Sequence, residues 1–273
     1  MDDLNSFLSV FVFILGALLG SFFNVCIVRM PKEESIIFPA SHCPNCKKSI
    51  PFYLNIPIVS YLWLRGKARC CGVRISIRYF IIELLTASLS LILFLFYSHS
   101  NRLPIQSAMG CMVLLSLIVV TVIDLEHLII PDEISVGGTL LGLLFSFIWP
   151  SMHGESSHWW SLGQSALGIL AGGGTLWAVA CIGEKILKKE AMGMGDVKLM
   201  SYVGAVAGWK MAFLTIFLGS LLGAIISLIF IFTKRLQRQS QIPFGPFLSL
   251  GVWISFLFGE KLINWYWGFV SLP

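Results

Sequence analysis

The chain has 273 residues, of which 56% are hydrophobic and only 12% charged. A mean hydropathy of +0.84 excludes a water-soluble globular domain and predicts a polytopic membrane protein. The net charge of +5 forms no basic stripe on a soluble domain, so a nucleic-acid partner is excluded as well.

Apolar runs predict membrane helices over residues 7–28, 79–97, 107–124, 134–150, 161–183, 197–208, 211–232 and 247–267. The fold class is therefore an all-α integral membrane protein of about eight helices embedded in the lipid bilayer. Asp2 and Asp3 precede the first run, where a signal peptide would carry basic residues, so that run reads as a permanent helix. A loop of fifty residues, 29–78, separates the first two helices and is richer in Pro, Lys and Arg than the rest. If the N-terminus lies outside the cytosol, inner loops hold sixteen basic residues. These are nine between Arg29 and Arg78, then Lys185, Lys188, Lys189, Lys198, Lys234, Arg235 and Arg238. Outer loops hold Arg102, Lys210 and Lys261. That asymmetry places the long loop in the cytosol. Trp149, Trp159, Trp160, Trp209, Trp265 and Trp267 form an interfacial belt. Two parts follow: residues 1–78, the first helix with its cytosolic loop, and residues 79–273, the transmembrane body.

The loop carries Cys43-Pro-Asn-Cys46, a spacing that grips zinc in a knuckle, and Cys70-Cys71 after a further stretch. Four thiolates suit a closed tetrahedral Zn²⁺ site, and a cytosolic loop argues against disulfides. Fifty residues are marginal for a self-sufficient core, which a metal staple would relieve. Adjacent side chains tend to diverge, so if only one of Cys70 and Cys71 binds, His42 is the candidate fourth ligand. Cys26, Cys111 and Cys181 fall inside apolar helices as small core residues.

Two acids stand out. Asp124 closes the 107–124 run, and Asp196 follows Gly193-Met-Gly and opens the 197–208 run. An acid near hydrocarbon costs about 2.5–3.5 kcal/mol on insertion scales and so marks a functional site. In this topology both reach the cytosolic membrane level. Two carboxylates sharing one site do not comfortably both ionise, which is the condition for water-mediated peptide hydrolysis. Gly193 and Gly195 would allow a tight turn and close substrate approach. The competing reading of Asp196 is a helix N-cap. Asp132 and Glu133, after Pro131, read as acids of a first helical turn. Glu126 and His127 read as solvent-facing residues. Glu83, just inside the second run, reads as an interfacial partner of Arg78 or Arg74, or as the lining of a site.

These residues resemble one family, the bifunctional type IV prepilin peptidases that also N-methylate the cleaved pilin. The resemblance runs through Gly20-Ser-Phe-Phe-Asn-Val-Cys-Ile-Val-Arg29-Met-Pro31, Cys43-Pro-Asn-Cys46, Asn55-Ile-Pro57, Ser60, Leu64-Arg-Gly-Lys67, Ile75-Ser76, Arg78-Tyr79 and Glu83-Leu84. It continues through 124–132 with its Ile-Ile-Pro-Asp ending, Gly193-x-Gly-Asp196-x-Lys198 and Pro243-Phe-Gly-Pro246. It implies an aspartic peptidase that cuts a basic leader from prepilins or pseudopilins at the cytosolic face of the bacterial inner membrane. Asp124 and Asp196 match the aspartate pair, with Gly193, Gly195 and Lys198 in support. It also implies methyl transfer from S-adenosylmethionine to the new N-terminus, associated with the loop and with Arg65, Gly66 and Lys67. No Gly-rich dinucleotide fingerprint accompanies that activity. One departure concerns the metal: the family has a second Cys-x-x-Cys whose first cysteine falls on Ala68, whereas Cys71 keeps its position and Cys70 is extra.

The alternative from another class is a proton-coupled transporter using the intramembrane acids, which would show inverted repeats; no such symmetry is present. The sequence does not specify which pilin is processed, or an oligomeric state.

Overall fold

A computed structural model describes residues 2–43, 45–98, 103–188, 192–233 and 243–270. Arg102, Lys189, Lys234, Arg235 and Arg238 of the predicted charge asymmetry, and Pro44 of the knuckle, lie outside the described residues. The described residues form helices and connecting turns, with two isolated bridge pairs, His42 with Ser49 and Lys67 with Arg74. Helix is what continuous apolar sequence requires, since a backbone in hydrocarbon must satisfy its own polar groups.

The chain divides into two compact units, residues 1–102 and 103–273. The first holds α1 (Asp2–Arg29), the short α2 (Val59–Trp63) and α3 (Ile77–Ser98). Helices α1 and α3 run antiparallel with small residues between them. A Cβ on Gly16 would lie 2.8 Å from Ala87 Cα, and one on Gly20 would lie 2.7 Å from Glu83 Cα. This is the small-xxx-small contact that lets membrane helices approach closely. It ties the second predicted membrane helix to the first and its loop, so the observed division falls one helix later than residue 78. The Arg29 guanidinium anchors the loop to the end of α1 by donating to the Ser35 carbonyl at 2.9 Å and the Pro39 carbonyl at 2.7 Å.

The second unit contains α4 (Pro104–His127), α5 (Asp132–Ile148), α6 (His158–Ile169), α7 (Thr175–Leu187), α8 (Met194–Phe232) and α9 (Gly245–Val270). Helices α5, α6 and α9 all pack on α8. Gly168 and Gly204 meet backbone to backbone, and Gly172 faces the Met200 carbonyl. The π-helical turn Leu170–Gly174 joins α6 to α7 and continues this contact with its run of glycines. On the other side, Gly138 lies against the ring of Tyr202, a side chain only 1% exposed. Gly251 of α9 would place a Cβ 2.8 Å from the Thr215 carbonyl. Buried hydroxyls link further elements: Ser146 and Ser161 hydrogen-bond at 2.9 Å, and Ser165 donates to the Ala205 carbonyl at 2.6 Å.

Among the described residues, six helices are long and apolar enough to cross a bilayer: α1, α3, α4, the continuous α6–α7 run, α8 and α9. Helix α5, at 17 residues, falls just short of that length. Helix α8, at 39 residues, breaks at Gly208, whose φ of 76° and ψ of 174° are open essentially to glycine alone. The predicted gap between the 197–208 and 211–232 runs falls at that break. Large apolar side chains such as Phe7, Ile14, Leu140 and Phe217 are exposed, as the lipid face of a membrane bundle requires, and so are the predicted belt tryptophans.

The Gly168–Gly204 contact leaves no room for a methyl group at either position. Gly204→Val is expected to cost several kcal/mol by overpacking and to remove most folded protein from detergent extracts. Gly163→Ala, where a Cβ would meet open space, is expected to leave the yield and thermal midpoint unchanged. Fluorescence-detected size exclusion after a heat series measures both.

Candidate active site

Helix α4 ends in a left-handed cap at Leu128, φ 57°, whose N–H returns to the Asp124 carbonyl at 2.9 Å. Asp124 therefore lies inside the last turn and presents its side chain from a rigid helix. Its exposure is only 6%. The chain then runs through Ile129, Ile130 and the buried Pro131, and enters α5 at Asp132. Helix α8 starts after Gly193, which is its N-cap, so Asp196 stands in the first turn and not at the cap. The cap reading of Asp196 is therefore corrected. An acid in a first turn is ordinarily solvated and helped by the helix dipole, yet Asp196 is only 9% exposed. Remote motifs thus converge: Gly195, beside Asp196, packs on Ile130 of the segment that follows Asp124.

Neighbouring segments complete the arrangement. Gly245, at the start of α9, donates its backbone N–H to Asp124 Oδ2 at 2.9 Å. A Cβ on Gly245 would stand 2.6 Å from that same oxygen. The glycine of Pro243-Phe-Gly-Pro246 is thus required for close approach, a role that the sequence motif alone did not disclose. Gly195 packs on Ile130, where a Cβ would come within 3.0 Å. Gly193 leaves space beside its own chain's Asp196 Oδ2, at 3.5 Å from a built Cβ. Lys198 Nζ donates to both oxygens of Asp132 at 2.7 and 2.8 Å. Asp132, read from sequence as a helix-terminus acid, also clasps the start of α5 to the start of α8. Glu126, His127 and Glu133 are exposed.

The 1–102 unit holds a second constellation. The sulfurs of Cys43, Cys46, Cys70 and Cys71 all lie within 4.8 Å of one another. Cys46 and Cys70 are 3.2 Å apart, Cys43 and Cys71 3.7 Å, and Cys70 and Cys71 3.8 Å. Two facing turns build the cluster. In one, Lys47 N–H returns to the Cys43 carbonyl at 2.9 Å, with Lys47 left-handed at φ 58°. In the other, Gly72 N–H returns to the Ala68 carbonyl at 2.8 Å, with Gly72 at φ 70°. The second turn folds both adjacent cysteines toward the knuckle, so the divergence expected of neighbours does not occur. His42 is turned elsewhere, with Nδ1 3.1 Å from the Ala40 carbonyl. Backbone N–H groups of Cys46 and Asn45 stabilise the Cys43 thiolate, lowering its pKa to about 6. The hydrogen bond with Cys46, followed by burial, pushes the Cys70 thiol up to about 12. Arg65, Gly66 and Lys67 follow α2 directly. Arg65 and Gly66 are both left-handed, at φ 50° and 66°, which turns the chain back toward the second pair of cysteines. Arg65 and Lys67 are exposed and Gly66 is buried.

Two family profiles match the chain, Bacterial Peptidase A24 N-terminal domain over residues 14–97 and Type IV leader peptidase family over residues 111–228. A protein of Aeromonas hydrophila named prepilin leader peptidase/N-methyltransferase is 32% identical, with 93% of this chain and 92% of that protein covered. A Pectobacterium carotovorum protein of the same name is also 32% identical, over 92% of this chain and 96% of its own length. So is one from Pseudomonas aeruginosa, over 94% and 93% respectively. The chain belongs to the type IV leader peptidase family. No solved structure matches it. In this leader peptidase family member both Asp124 and Asp196 are buried.

The Gly245 contact yields a test. In Gly245→Ala the added methyl displaces the Asp124 carboxyl, and a shift of about 1 Å is expected to lower peptidase kcat roughly 100-fold. Thermal stability should change far less than activity, and the two are compared on one detergent-purified preparation.

Proposed function

We propose that this chain removes leader peptides from prepilins or pseudopilins and then N-methylates the trimmed product, with Asp124 and Asp196 as its acid pair. The observation that supports this best is a pair of buried carboxyls on distant motifs whose segments meet at Gly195–Ile130 and Lys198–Asp132, in a member of a leader peptidase family. The relatives named above carry both activities in their names. The transporter alternative has no support among them.

The chemistry follows from a pair that shares one proton. The ionised carboxylate takes a proton from water as the water oxygen attacks the scissile carbonyl, and the protonated partner polarises that carbonyl. Collapse of the tetrahedral intermediate breaks the C–N bond, and the proton passes to the departing amine. The pair titrates as one unit, so the base is not assigned to either member. In this reading Gly193 keeps space beside Asp196, and Gly195 lets the turn close on Ile130. Lys198, through Asp132, fixes where α8 begins. The charge asymmetry supports an inner-membrane protein whose long loop and acid pair face the cytosol. Peptidase chemistry belongs on this reading to the transmembrane body, and methyl transfer to the first helix and loop.

A methyl donor of the S-adenosylmethionine type supplies an electrophilic methyl group. The exposed cations of Arg65 and Lys67, on either side of the Gly66 turn, suit the carboxylate at the donor's amino-acid end. The four cysteines fit zinc: with Zn–S near 2.3 Å, a tetrahedral site separates sulfurs by about 3.8 Å, close to the distances found. Cys43, Cys46, Cys70 and Cys71 would hold it, with Cys70 in place of the cysteine absent at position 68. The ion would act as a structural staple for a loop too small for its own core.

Asn at either position 124 or 196 is expected to abolish leader removal, and the double variant to be no worse than either single one. Mass analysis of co-expressed prepilin checks this; substantial trimming by either single variant would contradict the assignment. For the metal, purified protein should hold one equivalent of zinc. Cys70→Ser should lose most of it under mild chelation while His42→Ala keeps it. Less than about a tenth of an equivalent in the parent protein, with thiols intact, would refute the site, since structural zinc binds with apparent free energies above 10 kcal/mol.

A further inference from the structure

Fragments of the first unit that the acid pair leaves unused meet along the α1–α3 contact. The helices run antiparallel, so Gly20 stands opposite Glu83, and one turn on, about 5.4 Å, Asn24 stands opposite Tyr79. Asn24 is 2% exposed, and its Nδ2 donates to the Tyr79 carbonyl at 3.0 Å. A carbonyl can only accept, so this contact fixes the amide orientation and turns Oδ1 the other way. That oxygen is buried and has no hydrogen-bond donor.

On the next rung, Glu83 is 8% exposed. One carboxylate oxygen, Oε2, accepts the Ile58 backbone N–H at 2.7 Å. That donor is neutral. Ile58 itself is held at φ 63° and ψ −55°, and Val59 N–H returns to the Pro57 carbonyl at 2.6 Å. This is a γ-turn of the rare, strained hand, on a β-branched residue that avoids positive φ. Strain of this kind persists only where surroundings enforce it, and it gathers at functional sites.

A buried carboxylate with a neutral donor, one turn from a buried amide oxygen with none, is an excess of acceptors that a cation would balance. A primary ammonium brings three donors and no acceptor. We propose that Glu83 and Asn24 Oδ1 bind a primary ammonium, namely the free α-amine of the trimmed product before its methylation. The assignment rests on the methyltransferase reading above. Ile58 N–H is the neutral donor that occupies the carboxylate when no amine is present, and its strained turn covers the site. Nothing in the peptidase chemistry calls on these residues.

The test uses full-length protein in detergent, a methyl donor and a leaderless pilin peptide with a free N-terminus, so that cleavage is not needed. Glu83→Gln keeps the acceptor for Ile58 and removes the charge. The expected result is a 10- to 100-fold rise in the KM for the amine peptide, the range for a lost charge-assisted hydrogen bond. Cleavage of intact prepilin by the same variant should be unchanged. An unaltered KM overturns the site while leaving the methyltransferase reading in place. A parent protein that cleaves prepilin but methylates no peptide overturns that reading, and the site with it. If Glu83→Gln does not fold, competition on the parent protein decides. The free-amine peptide should inhibit methylation of a labelled substrate, and its N-acetylated form should not; equal inhibition by both overturns the proposal.

Discussion

Helix α8 meets its neighbours backbone to backbone, and the organisation of residues 103–273 depends on that contact. In a bilayer, lipid tails are as apolar as leucine, so helices gain little from hiding apolar surface from each other. What holds them is dispersion between closely fitted atoms, which falls away steeply with a gap of even half an ångström. Glycines 138, 168, 172 and 251 remove the side chains that would impose such a gap against α8 and its partners. The same closeness explains how Asp196 is buried at a helix start, a place where an acid is otherwise wet.

Enclosing two acids creates a demand that packing alone cannot meet. Asp124 takes a backbone N–H from Gly245, one of the donors that a helix start leaves free. The Asp132–Lys198 pair has side chains 61% and 38% exposed, so its share of stability is in the range of 0–1 kcal/mol for surface ion pairs. Its consequence is geometric. Asp132 opens α5, Lys198 is two residues past Asp196, and the bridge fixes one helix start against the other.

Much of this was legible in the sequence where local chemistry is strict. The run lengths gave the helices, a carboxylate beside hydrocarbon gave Asp124 and Asp196, and the knuckle spacing gave Cys43 and Cys46. What was not legible were properties of the approach between segments. Gly245 is one glycine among many until a Cβ on it is seen to collide with Asp124. Cys70 beside Cys71 reads as poor chelation until the Ala68–Gly72 turn folds both sulfurs inward. The break in α8 was visible only as the gap between the 197–208 and 211–232 runs, whereas the backbone of Gly208 carries it. Glu83 read as an interfacial partner of Arg78 or Arg74, or as the lining of a site, and only the fold brings Ile58 to it from 25 positions away.

The buried acids of the two units share a solution. Asp124 is held by the N–H of Gly245 and Glu83 by the N–H of Ile58. A lysine or arginine in either place would add a charge, and a long side chain able to swing away. A main-chain donor can do neither. It is fixed by the segment that carries it, so the position of each carboxyl becomes a function of where α9 begins or where a γ-turn closes. Such an arrangement positions the carboxyl without a full countercharge to hold it ionised, so its proton stays available to chemistry, which a salt bridge would suppress. A glycine at the start of α9 and a strained turn at Ile58 are the two forms this positioning takes.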